Sequence, residues 1–77
     1  MARARIIITL KKTIMDAQGQ TIENALHNLG YTGVNNLRMG KYIEMEVDAS
    51  AASQLEEMCQ KLLANPIIED YRILLED

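Results

Sequence analysis

Sulfur that could cross-link the chain, aromatic rings and positive charge are all scarce in these 77 residues. There is one cysteine, Cys59, so no disulfide can close within the chain. Cys59 and the one histidine, His27, fall short of the four ligands of a structural zinc site. Phe and Trp are absent, and the aromatics are Tyr31, Tyr42 and Tyr71. Eight Lys and Arg against eleven Asp and Glu leave a formal charge of −3. A nucleic-acid module is marked by a basic patch, often with stacking aromatics, and this composition argues against one. Apolar runs reach three residues, as in Ile6-Ile7-Ile8, far short of the roughly 20 that cross a membrane as a helix. Arg3 and Arg5 lead into a strand-like run, not into the apolar core and cleavage site of an export signal. A free thiol without an export signal sets the expectation of a cytoplasmic protein.

What is present is a hydrophobic content of 48%, too high for disorder. The length suits one domain over residues 1–77. A domain this small draws only about 3–5 kcal/mol from its core and usually carries a staple. With disulfide and zinc excluded, oligomerisation is the staple left. At least a dimer is expected.

Residues 3–11 alternate, with Ala4, Ile6, Ile8 and Leu10 on one side and Arg3, Arg5, Thr9 and Lys11 on the other, which predicts a strand. Asp16 is a good N-cap, and Ile22, Ala25, Leu26 and Leu29 form one helical stripe closed by Gly30. That predicts a helix over 17–29. A short strand is expected at 34–39, then a turn at Gly40. Residues 41–48 alternate again, with Ile43, Met45 and Val47 inward and Tyr42, Glu44, Glu46 and Asp48 outward. Ser50 is positioned to cap a second helix with Ala52, Leu55, Met58, Cys59, Leu62 and Leu63 as its stripe, stopped at Asn65-Pro66. A last strand covers 67–75, with Tyr71, Ile73 and Leu75 on one face.

The order β-α-β-β-α-β predicts an α+β ferredoxin-like two-layer sandwich. Its sheet would be four-stranded and antiparallel, with both helices on one face. The first and third strands would then be central neighbours. Arg3, Arg5 and Lys11 would stand beside Glu44, Glu46 and Asp48 in a cross-strand charge ladder on the helix-free face. Ile7, Tyr42 and Leu74 should share that face, and apolar groups among paired charges there suggest a protein interface.

No catalytic constellation emerges from the spacing. Cys59 on an inner helical stripe reads as a small buried hydrophobe, and His27 as a rim residue. Glu56/Glu57 and Glu69/Asp70 are adjacent pairs whose side chains diverge, so neither is an acid–base dyad. The four glycines form no phosphate loop. Arg38-Met39-Gly40-Lys41 suits either an anion site or a charged hairpin end.

Several runs together resemble a known family almost end to end. They are Ile8-Thr9-Leu10-Lys11, Asp16-Ala17-Gln18-Gly19, Ala25 to Tyr31, Arg38 to Glu44, and above all Leu62-Leu63-Ala64-Asn65-Pro66-Ile67-Ile68-Glu69-Asp70-Tyr71. The family is PurS, the small subunit of bacterial-type phosphoribosylformylglycinamidine (FGAM) synthase. Where the family often has Pro after the capping Asp, this chain has Ala17.

The resemblance implies a non-catalytic subunit, forming dimers or pairs of dimers, in a complex of purine biosynthesis. That complex turns formylglycinamide ribonucleotide, ATP and glutamine into the amidine. A glutaminase subunit releases ammonia, and a large synthetase subunit uses ATP and Mg to receive it. The small subunit would bridge the two and bind no cofactor of its own. Partner contact is expected at Arg38, Gly40, Lys41 and Glu44, and at Asn65, Pro66, Glu69, Asp70 and Tyr71. Two other classes share the layout. An ACT-like regulatory module would need a small-molecule pocket at a dimer interface. An acylphosphatase-like enzyme would need an Arg in the first loop, where this chain has Lys11-Lys12-Thr13-Ile14-Met15.

Overall fold

The alternation at the start of the chain produces the central strand, β1 (Ala2–Leu10). Ala4, Ile6 and Ile8 are fully buried on one face, while Arg3, Arg5, Ile7 and Thr9 line the other. The computed structural model describes residues 1–76. β2 (Gly40–Val47) and β3 (Glu69–Glu76) pair antiparallel on either side of β1, giving the order β2-β1-β3. In β2 register Ile6 faces Ile43 and Arg5 faces Glu44; in β3 register Ile6 faces Ile73 and Ile8 faces Tyr71. Gly40 opens β2 opposite Thr9, where a Cβ would stand 2.5 Å from the Ile8 carbonyl oxygen. The close approach of two backbones requires glycine there.

The helix-free face carries the expected ladder in altered form. Arg5 pairs with Glu44 at 3.8 Å and with Glu76, and Ile7, Tyr42 and Leu74 share the face. Lys11, however, reaches Asp70 of β3 at 2.8 Å, and Asp48 leaves the ladder to cap the next helix.

Four expectations need correction. The sheet has three strands, because residues 34–39 form none. Asn36 takes a left-handed φ of 57°, which breaks an extended run. The segment's amides go to side chains instead: Leu37 N–H donates to Glu23 and Met39 N–H to Asp16. The second helix is broken into α2 (Ala49–Ala52), α3 (Leu55–Met58) and a π-helical turn at Cys59–Leu63. Its cap is Asp48, not Ser50, and the Ser53 hydroxyl donates to the Ser50 carbonyl at 2.8 Å beside the break. The last strand begins at Glu69, since Ile67 and Ile68 lie in the turn that Asn65 organises.

The fourth correction concerns layering. α1 (Ala17–Asn28) begins at Asp16, whose carboxylate accepts the Gly19 N–H. It ends in a Schellman closure, with Tyr31 N–H on Leu26 O, Gly30 N–H on His27 O, and Gly30 at φ +102°. The helix contributes nothing to the core, which consists of Ala4, Ile6, Ile8 and Val47 under Leu55, Cys59 and Ala64. Among the described residues only the 49–64 segment covers the sheet. Accordingly the chain measures 48 × 26 × 13 Å, with a radius of gyration of 15.7 Å. A compact chain of this length would have about 11–12 Å.

Candidate functional site

The residues expected to touch partners do not form one patch. Strand alternation sends Glu69 and Tyr71 to the helix-covered face and Asp70 to the other. Glu44 joins Asp70 on the helix-free face, where it accepts the Tyr42 hydroxyl at 2.7 Å. That bond pushes the Tyr42 pKa up. Lys41, Glu69 and Asn65 do converge at one end of the sheet. Lys41 Nζ stands 3.7 Å from Glu69 Oε2, while Glu69 Oε1 accepts the Asn65 N–H at 2.7 Å. Asn65 Oδ1 in turn accepts the Ile67 N–H across Pro66. Tyr71 donates to Glu56 at 2.8 Å and so ties β3 to α3, which raises the Tyr71 pKa.

Arg38 has a structural occupation. One guanidinium nitrogen, Nη2, donates to the carbonyls of Lys11 (2.9 Å) and Ile14 (3.0 Å), with Leu10 O at 3.4 Å. It holds the β1–α1 loop. Asp16, Glu23 and His27 complete this device; the sequence marked Asp16 as a helix cap and His27 as a rim residue, and Glu23 was missed. Asp16 bridges Gly19 and Met39 backbone amides, Glu23 holds Leu37, and His27 Nε2 meets the Val34 carbonyl at 2.6 Å. The two backbone amides hold the Asp16 carboxyl below its ordinary value. The spacing Asp16-x-x-Gly19 and its distance from Arg38 were the available signals, but only the fold shows what they grip.

Among the described residues no constellation for catalysis is formed. Burial pushes the Cys59 thiol up, away from the nucleophilic thiolate. Among the described residues no three His, Cys, Asp or Glu side chains are placed to hold a metal. No helix among them is long and apolar enough to cross a membrane.

What the chain offers instead is uncovered apolar surface. Leu29 is 74% exposed, and Ile22, Ala25 and Leu26 continue its stripe along α1 without joining the core. A groove of about 350 Å³ opens beside the π-helical turn, with Met45, Met58, Leu62 and Leu63 as its apolar wall and Glu57 and Lys61 at its rim. The accessible surface is 5655 Å². A compact monomer of 8.7 kDa exposes about 4,700 Å², so about 900 Å² is in excess. One side of a standard protein interface buries about 800 Å².

These features define a small α+β accessory module: its polar clusters fix its own backbone and its apolar stripe and groove lie open. Comparison with known proteins makes the class specific. The family model for PurS, phosphoribosylformylglycinamidine (FGAM) synthase, matches residues 3–77. The chain belongs to the PurS family. It is 39% identical over 80 residues to the FGAM synthase subunit PurS of Bacillus subtilis, covering all of this chain and 95% of that one. It is also similar to the B. subtilis PurS structure, with TM-score 0.92 over the full length of both chains and 39% identity. A chain of the PurLQS structure from Thermotoga maritima matches with TM-score 0.77 and 28% identity, over 97% of this chain and 98% of that one.

Proposed function

We propose that this chain is the assembly subunit of an FGAM synthase of purine biosynthesis, acting as a pair or a pair of pairs. It joins a glutaminase subunit to the large synthetase subunit, as the PurLQS structure from T. maritima joins three named components. The observation that carries the reading is the excess of about 900 Å² of surface on a chain without a catalytic constellation among its described residues. In the pairing, the α1 stripe of one copy packs on the open groove of the other. The strand order β2-β1-β3 is that of a ferredoxin-like sandwich lacking one edge strand, which supports reading the chain as one such domain over 1–77. ATP and Mg belong to the synthetase subunit, and the setting is cytoplasmic.

Ammonia released into water at neutral pH is largely protonated and loses the lone pair needed for attack. Fixing two active sites in one complex raises its local concentration and excludes water. Partner contact is assigned to the Lys41–Glu69 end with Gly40, Asn65, Pro66 and Tyr71, and to Glu44 and Asp70 on the helix-free face. Arg38 acts there by holding the adjacent loop.

The test is glutamine-dependent amidine formation by the cognate glutaminase and synthetase, with and without this chain, beside an ammonium-fed control. Glutamine-driven turnover only in its presence supports the reading. Equal turnover without it in both reactions overturns it.

A further inference from the structure

We propose that the helix-free sheet face, centred on Tyr42, Ile7 and Arg72, docks a protein partner other than a second copy of this chain. The partner sets a carboxylate against Arg72 and apolar side chains against Ile7 and Leu74. The inference rests on the assembly reading above and says which surface serves the unlike partner.

Ile7 faces Tyr42 on β2 and Arg72 on β3, so the three side chains make one row across the whole sheet. Tyr42 is 57% and Leu74 41% exposed. Tyrosine and arginine are enriched among the residues that dominate binding energy, at the centre of patches ringed by weaker polar contacts. Here the ring is Arg5 with Glu44 and Glu76, and Lys11 with Asp70. Arg72 is different. Its neighbour on β1 is apolar Ile7, and the nearest acid along its own strand, Asp70, is engaged by Lys11. Among the described residues no ion pair or hydrogen bond takes up its guanidinium.

Charge pattern opposes self-stacking on this face. The central strand brings Arg3 and Arg5, β2 brings Glu44 and Glu46, and β3 brings Arg72 between Asp70 and Glu76. Two copies stacked about a two-fold axis running along β1 would lay Arg3 on Arg3, Arg5 on Arg5 and Glu46 on Glu76. Such like-charge juxtaposition rejects a partner. An unlike partner with carboxylates over β1 and Arg72 and basic groups over Glu44 and Glu46 matches the pattern. The groove lies on the helix-covered side, where Met45 stands beside buried Ala4, so pairing through it leaves this face open.

The experiment measures the affinity of the whole chain, in its native oligomer, for its cognate glutaminase and synthetase subunits, together with its oligomer mass. Arg72→Glu is expected to weaken complex formation at least tenfold without changing the oligomer, and Arg72→Lys to retain most of it. Tyr42→Ala should weaken it several-fold. Wild-type affinity for Arg72→Glu overturns the proposal. So does an Arg72→Glu variant that alters the oligomer while partner affinity stays unchanged. If the wild type joins neither subunit, the assembly reading itself falls and this proposal with it; if it joins and Arg72→Glu joins equally, only the face is misassigned.

Discussion

The sheet half and the α1 half of this chain are held by different forces. In the first, Ala4, Ile6 and Ile8 are sealed beneath Leu55, Cys59 and Ala64, so the fold rests on apolar burial. In the second, helix and following segment are joined by four polar side chains, Asp16, Glu23, His27 and Arg38, each on a backbone group. The apolar stripe of α1 takes no part in the core. The contrast teaches where a small domain keeps its binding surface. The half that satisfies its own backbone with side chains leaves its hydrophobic face uncovered.

The contrast breaks most visibly at Ile6, which is fully buried at the centre of the sheet. Ile6→Ala is expected to cost about 2–5 kcal/mol, enough to unfold much of a chain this small, as urea titration would show. Leu29→Ser should do the opposite. Because Leu29 is 74% exposed in one chain, its loss leaves monomer stability nearly unchanged. Losing two buried leucines per pair would weaken self-association about 100-fold, measurable as a shift in the dissociation midpoint. Equal self-association of wild type and variant would assign the pairing to another surface.

A smaller effect sharpens the polar half. Asp16→Ala removes the bridge between Gly19 and Met39, and exchange of the 34–39 amides should quicken about tenfold while β1 amides stay protected. The pH dependence has a defined sign. A carboxyl held below its ordinary value contributes stability that is complete above the unfolded-state value of about 3.9. That contribution is lost as pH falls through the lower folded-state value. Asp16→Asn should therefore flatten the acid limb of the stability curve. The smallest effect belongs to the exposed Glu57–Lys61 pair at 3.0 Å, where Lys61→Ala should cost about 0.3 kcal/mol and vanish in high salt.

The strands were legible because period two places charges and apolar groups on opposite faces, as at Arg5 and Ile6. The ends of α1 were legible because capping by Asp16 and closure by Gly30 are local chemistry. Residues 34–39 were misread as a strand because Val34, Leu37 and Met39 suit one by side-chain type. What decides their conformation is the acceptors on Glu23 and Asp16, residues on another element. The break in the second helix was equally hidden, since Ser53 is compatible with a helix and its hydroxyl's choice of the Ser50 carbonyl is made only in place. For the site, Arg38 was conspicuous beside Gly40 and Lys41, but its three carbonyl partners come from the end of β1 and the loop after it, more than twenty residues earlier. Motif spacing marks such a residue without saying whether it faces inward or outward.

The most direct test of completion by a second copy is sedimentation equilibrium of the wild-type chain beside Leu29→Ser, with circular dichroism to confirm folding. At about 10 μM the wild type is expected at twice the 8.7 kDa chain mass or a multiple of that, with Leu29→Ser shifted toward one chain mass. A folded wild type that sediments as a single 8.7 kDa chain even at about tenfold higher concentration would contradict it.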